Sequence, residues 1–182
     1  RALAEALGVA WLPDLRTLLA EGMADGIVIA TPNQLHVEQG LACVEAGVPV
    51  LIEKPIAHEV AAGMHLAEVA EAADVPILVG HHRRYSPLVS RAHEIVRNGE
   101  LGTILAIQAT CWFHKPGDYF EVAWRRQKGG GPILLNLIHD IDLLRHICGD
   151  IVSVQAMVSN ALRGNPVEET AGILLSFASG AI

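Results

Sequence analysis

The segment Val48-Pro-Val-Leu-Ile-Glu-Lys-Pro-Ile56 is a short apolar run that breaks into an acid, a base and a proline. Its length, its β-branched content and its borders at Gly47 and Pro55 predict a buried parallel strand. Pro55 has no amide hydrogen to give a ladder, so the strand ends there. Glu53 and Lys54 then fall at its carboxyl end, the edge along which open α/β sheets bind ligands. Two readings of this pair stand side by side. A partly desolvated lysine beside a carboxylate suits proton transfer, and the same two residues can simply close a strand as a surface ion pair.

The grammar of this segment repeats on both sides. Upstream, Gly26-Ile-Val-Ile-Ala30 is a continuous apolar strand running into Thr31-Pro-Asn33. Asn33 is a suitable N-cap for a helix through about Ala46, on which Leu35, Gln39, Ala42 and Ala46 recur near helical spacing. Downstream, a helix over 59–73 leads to the strand Val75-Pro-Ile-Leu-Val-Gly80, which delivers His81-His-Arg-Arg-Tyr85. Before all of these come a helix from Arg1 to Leu7 closed by Gly8, a short strand Val9-Ala-Trp-Leu12, and a helix Leu15 to Ala20 capped by Asp14. Alternating strands and helices predict right-handed parallel βαβ units, so residues 1–86 are read as a doubly wound α/β sheet. No G-x-G-x-x-G follows any strand, and the chain opens on a helix. The expectation is that a first strand and its glycine-rich turn lie before Arg1.

The pattern changes after Tyr85-Ser-Pro87. A helix over 88–98 precedes Gly99, and 103–113 is expected to be a long strand. Lys115-Pro-Gly-Asp-Tyr119 and Trp124-Arg-Arg-Gln-Lys-Gly-Gly-Gly131 are polar loops whose sequence carries no readable substrate code. Pro132 can start a helix that runs to about Ile147, and 151–160 and 170–177 alternate as strands around the turn-rich Arg163-Gly-Asn-Pro166. Residues 87–182 are therefore read as an α+β domain with an open, mostly antiparallel sheet and helices on one face. The final Ser179-Gly-Ala-Ile182 looks like mid-hairpin, which predicts that the chain continues.

Composition narrows the classes. A formal net charge of −7 argues against nucleic acid or an anionic membrane as partner. No apolar stretch approaches the roughly 20 residues of a membrane span, and no cleavage site follows a charged leader. Cys43, Cys111 and Cys148 are odd in number and far apart, which fits a reduced, cytoplasmic setting better than a disulfide framework.

With these motifs in place the sequence resembles the Gfo/Idh/MocA family of NAD(P)-dependent oxidoreductases. The resemblance rests on Ala30-Thr-Pro-Asn-Gln-Leu-His36, Glu53-Lys-Pro55, Gly80-His-His-Arg-Arg-Tyr-Ser-Pro87, Trp124-Arg125, Gly129-Gly-Gly131 and Leu135-Asn-Leu-Ile-His-Asp-Ile-Asp142. Each motif is weak alone; their order and separations make them specific. The family implies a Rossmann domain lacking here its first strand and Gly-rich loop, followed by a substrate domain with an open sheet; exposed sheets invite burial, so this sheet is the expected homo-oligomer surface. It implies NAD or NADP as cofactor, chosen at the end of a second Rossmann strand that this chain does not contain, and a small polyhydroxylated substrate.

The resemblance also assigns roles. Thr31, Pro32, Asn33, His36, Glu53, Lys54, Arg84, Trp124 and Arg125 would bind the cofactor. Lys54, Asn136 and His139 would bind substrate, with Lys54 and His139 as the catalytic pair. A histidine in the position of His36 more often packs or bonds backbone than catalyses, and Arg84 reads equally as half of an ion pair. Asn136 and Asp142, each three residues from His139, would share its helix face. Dehydrogenases of the family carry an aspartate four residues before this histidine, where Leu135 stands; Asp140 or Asp142 is then the candidate to orient the imidazole. A zinc reading of His139, Asp140, Asp142 and His146 lacks three convergent ligands, and no metal is expected. The implied activity is hydride transfer between a nicotinamide dinucleotide and a sugar, polyol or related hydroxy compound. Two alternatives are a non-catalytic dinucleotide sensor and an elimination or hydrolysis enzyme with a recycled NAD.

Overall fold

The computed structural model describes residues 1–182, which form two compact units, Arg1–Gly80 and His81–Ile182. In the first unit the strands β1 (Ile27–Ile29), β2 (Val50–Ile52) and β3 (Ile77–Val79) pair in parallel, in that order. Their register sets Ile27 against Val50 and Val50 against Ile77. Parallel pairing needs crossovers, and these are α3 (His36–Glu45) and α4 (Val60–Ala72), which pack on each other. Helices α1 (Ala2–Leu7) and α2 (Leu15–Ala20) precede them, and Asp14 caps α2 by accepting from Thr17 N at 2.8 Å. Ile29, Cys43, Val44, Val50, Ile52, Leu66 and Ala70 form one dry cluster between sheet and helices. The apolar run of β2 is central because it is flanked by a strand on each side.

Two local expectations are corrected here. Val9–Leu12 is not a strand: Val9 and Trp11 are exposed, and no neighbouring strand is there to pair with them. Asn33 does not cap α3. It is itself the first residue of a 3₁₀ turn, Asn33–Leu35, that leads into the helix, and it is buried. A residue inside a helical turn has left the extended conformation that an N-cap requires.

The second unit opens with a 3₁₀ turn, His82–Tyr85, and α5 (Pro87–Arg97). Short 3₁₀ segments at Gly117–Glu121 and Ala123–Arg126 lead to a π-helical turn, Ile133–Leu137, that runs directly into α6 (Ile138–Cys148). Strands β4 (Ile151–Ser159) and β5 (Thr170–Phe177) pair antiparallel. The expected strand over 103–113 is absent as a ladder. Its backbone meets only Ile182, through Ile107 N to Ile182 O at 2.8 Å and Ile182 N to Leu105 O at 3.2 Å. Alternating side chains create a strand only where a neighbour completes the hydrogen bonds. No helix is long and apolar enough to cross a membrane.

Candidate active site

In the first unit the three parallel strands all end at the same edge. β1 runs into Thr31-Pro32, β2 into Glu53-Lys-Pro55, and β3 into Gly80. The ladder carries to that edge, with Glu53 N donating to Ile29 O at 2.9 Å and Gly80 N to Ile52 O at 2.8 Å. Lys54 thus emerges beside two other strand ends, and its peptide to Pro55 is cis. Glu53 folds back so that Lys54 N donates to its Oε2 at 3.3 Å. A Cβ at Gly80 would sit 3.2 Å from that same Oε2, so the bare glycine makes room for the carboxylate.

His36 ties this edge together. It is 1% exposed, with Nδ1 2.7 Å from the Pro55 carbonyl oxygen and Nε2 2.9 Å from that of Thr31. One imidazole therefore spans the turns that follow β1 and β2. Thr31 Oγ1 donates to Gln39 Oε1 at 2.6 Å, which pins the first turn to α3 as well. Of the two readings of His36, the observed contacts are to backbone.

In the second unit His139 is buried in the first turn of α6. Its ring meets His82 edge-on, with centroids 5.0 Å apart and planes at 71°. The two carboxylates offered as its orienting partners face arginines. Asp142 accepts from Arg84 Nε at 2.8 Å and from Arg84 Nη2, and lies 3.6 Å from His81 Nδ1. Asp140 accepts from Arg83 Nη1 at 3.2 Å. Burial alone would raise the Asp142 carboxyl, but the Arg84 hydrogen bonds and charge, with His81, hold it below the usual carboxylate range. The same contact raises Arg84. Arg84 is thus anchored within its own unit by a bidentate pair.

Asn136 lies in the π-helical turn, whereas His139 lies in α6. Five-residue hydrogen bonding rephases the helix between them, so the face-sharing expected from a spacing of three does not carry through the junction. Both ends of the Asn136 amide are engaged: Nδ2 donates to Pro132 O at 2.8 Å, and Oδ1 accepts from Lys115 Nζ at 3.1 Å. Trp124 and Arg125 form part of a 3₁₀ turn. The Arg125 guanidinium lies 4.2 Å from the Tyr119 ring centre and donates to Tyr119 O at 3.1 Å.

Two contributors escape a reading of sequence alone. Glu168, from the segment before β5, accepts from Ile133 N at 3.1 Å and Leu134 N at 3.3 Å. It seats the start of the helical segment that carries His139, where a negative group suits free amides and the helix dipole. Gly131 packs so closely against it that a Cβ would overlap the Glu168 carboxylate. Lys115 is the other, and only its tertiary partners distinguish it from a loop lysine. The three consecutive glycines were the available signal for the first; nothing local signals Glu168 itself. A cavity of about 500 Å³ between α6 and β5 is lined by Asn136, Asp140 and the inner side chains of the sheet, such as Ile173 and Phe177. Neither His139 nor Lys115 lines it.

Comparison with known proteins agrees with this architecture. Residues 1–81 match the model of an oxidoreductase family with an NAD-binding Rossmann fold, and residues 89–182 match that of the GFO/IDH/MocA C-terminal domain. Levoglucosan dehydrogenase of Pseudarthrobacter phenanthrenivorans is 28% identical over 85% of this chain and 41% of its own length. Myo-inositol 2-dehydrogenase of Thermotoga maritima is 29% identical over 93% of this chain and 51% of its own. Among solved structures, the WlbA dehydrogenase of Bordetella pertussis, crystallised with NADH and UDP-GlcNAcA, superimposes with a TM-score of 0.94 at 28% identity. That match covers 99% of this chain and 53% of the other. The chain spans about half the length of the relatives it matches. Rossmann unit, C-terminal α/β unit and family models together place the chain in the Gfo/Idh/MocA family of oxidoreductases, to which it belongs.

Proposed function

We propose that the protein transfers a hydride between a nicotinamide dinucleotide and a sugar, polyol or related hydroxy compound. The observation that supports it best is Lys54, delivered by the central strand to the ligand-binding edge of a parallel sheet. The residues there suit a dinucleotide. Thr31 and Pro32 are exposed, and the helical amides that follow them favour a polar or anionic group. Thr31, Pro32, Asn33, His36, Glu53 and Lys54 would contact or support the cofactor from the first unit. Arg84, Trp124 and Arg125 are the second unit's candidates for the cofactor, and NADH is the form with which the WlbA dehydrogenase of Bordetella pertussis was crystallised.

When bound, the dinucleotide supplies the hydride acceptor or donor. The chain supplies position and proton transfer. As a carbinol carbon loses its hydride, its hydroxyl must lose a proton, and Lys54 or His139 takes it; in the reverse direction the same group returns it. Glu53 keeps the Lys54 backbone in place, and His36 locks the turns on either side of the strand edge. Leu135 offers no carboxylate to His139, so His82 and the helix seat made by Glu168 hold the imidazole's surroundings instead. We further infer a cytoplasmic location from the three free cysteines. A homo-oligomer is inferred from the exposed apolar residues Met157 and Leu174, which share one face of the open sheet.

The test is nicotinamide absorbance in the full-length protein, with NAD and then NADP, against sugars, polyols and hydroxy acids. Lys54→Ala and His139→Ala are each expected to cut turnover by about 10²–10⁴-fold, with cofactor affinity nearly unchanged. Equal losses of turnover and cofactor binding in Lys54→Ala would remove its catalytic role. Silence across the panel with cofactor still bound would favour a sensor, or an enzyme that recycles its cofactor.

A further inference from the structure

We infer that Lys115, set by Asn136, reads an oxyanion on the substrate, so that the protein acts on a sugar or polyol bearing a carboxylate or phosphate. This deepens the dehydrogenase reading above and rests on it. Arg83, Arg84, Arg91, Arg145 and Arg163 each meet an aspartate or glutamate. The Lys115 ammonium meets neutral groups: the Asn136 amide oxygen at 3.1 Å, the Tyr119 ring at 4.8 Å and the Phe113 ring at 5.5 Å, while the Arg163 guanidinium donates to the Lys115 carbonyl at 2.9 Å. Arg125 likewise contacts the Tyr119 ring at 4.2 Å, the Trp124 ring at 5.6 Å and the Tyr119 carbonyl. Two cations therefore share one aromatic ring without a carboxylate between them, in a chain whose net charge is −7.

Neutral partners orient a cation without cancelling its charge. Ring faces attract it, and an amide oxygen directs one of its hydrogens, but the remaining donors of the ammonium keep their capacity. Lys115 is half-buried, so solvent screens it less than it would a surface lysine, and an arriving oxyanion gains a charge-assisted hydrogen bond. The orientation is enforced. Asn136 Nδ2 is held by Pro132 O at 2.8 Å, which leaves Oδ1 to face the ammonium. Asn136 stands in the turn that leads directly into the helix bearing His139. The cation is thus held by the turn that leads into the helix bearing the proposed acid/base, near where a charge must sit to decide which substrates are held for reaction.

The experiment uses the full-length protein saturated with NADH and measures binding of D-glucuronate, D-galacturonate, D-glucose 6-phosphate and D-glucose by calorimetry. At least one acidic sugar is expected to bind about tenfold or more tightly than D-glucose, the scale of one hydrogen bond to a charged group. Lys115→Met, which keeps the stem and removes the charge, should erase that preference, and Lys115→Arg should retain most of it. Stronger binding of the uronates identifies a carboxylate, and stronger binding of the 6-phosphate identifies a phosphate. Equal binding of acidic and neutral sugars, no sugar binding at all, or a preference that survives Lys115→Met overturns the inference while leaving hydride transfer intact. A tenfold loss of NADH affinity in Lys115→Met also overturns it, because the cation would then serve the dinucleotide. Failure of the unmodified protein to bind NADH overturns the dehydrogenase reading, and this inference with it.

Discussion

The two units hold their shapes by different physics. In Arg1–Gly80 the buried set is a single apolar cluster of Ile29, Cys43, Val44, Val50, Ile52, Leu66 and Ala70. In His81–Ile182 the helix that carries His139 is tied down by charge: Arg84 to Asp142, Arg83 to Asp140, and Glu168 to the helix start. Its buried apolar residues, Phe120, Val167, Phe177 and Ala181, are scattered along the chain. Apolar burial is non-directional and tolerates small displacements, whereas an ion pair fixes distance and angle. A sheet that must only present its ends to a ligand can rest on the former. The helix whose His139 is proposed to handle a proton rests on the latter.

Leu66→Ala breaks the comparison at its strongest point. Leu66 is fully buried and faces Gly40 and Ile52, so the truncation should cost about 2–5 kcal/mol. Hydrogen exchange resolved by peptide should show faster exchange throughout 1–80 and little change in 81–182. Asp142→Ala is the counterpart in the second unit. It leaves the partly exposed Arg84 without its bidentate partner, and a loss of about 1–3 kcal/mol is expected, reduced by solvent around the arginine. Exchange should then quicken along 138–148 and leave β1 to β3 unaffected. Comparable protection losses in both units from either variant would refute the division.

The smallest effect is set by pH. Asp142 titrates below its ordinary value, so the stability it contributes is present above the unfolded carboxyl value of about 4 and is lost as pH falls through its lower folded value. His146 adds to this from the other side. Burial first, then His93 and Arg84, hold its imidazole below the ordinary value. The unfolded chain therefore binds that proton more readily, and stability declines as pH drops below about 6.5. Acid titration followed by near-ultraviolet circular dichroism and exchange should weaken residues 81–182 before 1–80, and Asp142→Asn should remove the steeper, more acidic part of the loss. An acid transition of the same depth in Asp142→Asn would count against the pairing as its source.

The sequence disclosed the first unit well because its forces are periodic. Short β-branched runs stopped by Pro55 and Gly80 mark both the strands and the edge where they end, and Asp14 capped α2 as its position suggested. Where the reading failed, local pattern competed with a partner that pattern does not encode. Thr103–Phe113 alternates like a strand and lacks a ladder. Asn33 has a capping side chain and lies inside the turn. The second unit's site was half legible. His139 and its helix stood out by motif, but Glu168 reaches back 35 residues to Ile133 and Lys115 reaches forward 21 to Asn136. Contacts of that span leave no period for a sequence to display.

The π-helical turn at Ile133–Leu137 gives the segment a slack of one residue. A turn of this kind accommodates one more residue per revolution than the α-helix it joins, so the glycine-rich approach at Gly129–Gly131 and the helix beyond Ile138 need not keep a common screw. Length changes upstream can be taken up there while Asp140 and Asp142 keep α6 docked. Under the proposed roles, the stretch before the turn is then free to drift in length and chemistry, while His139 after it stays where it is.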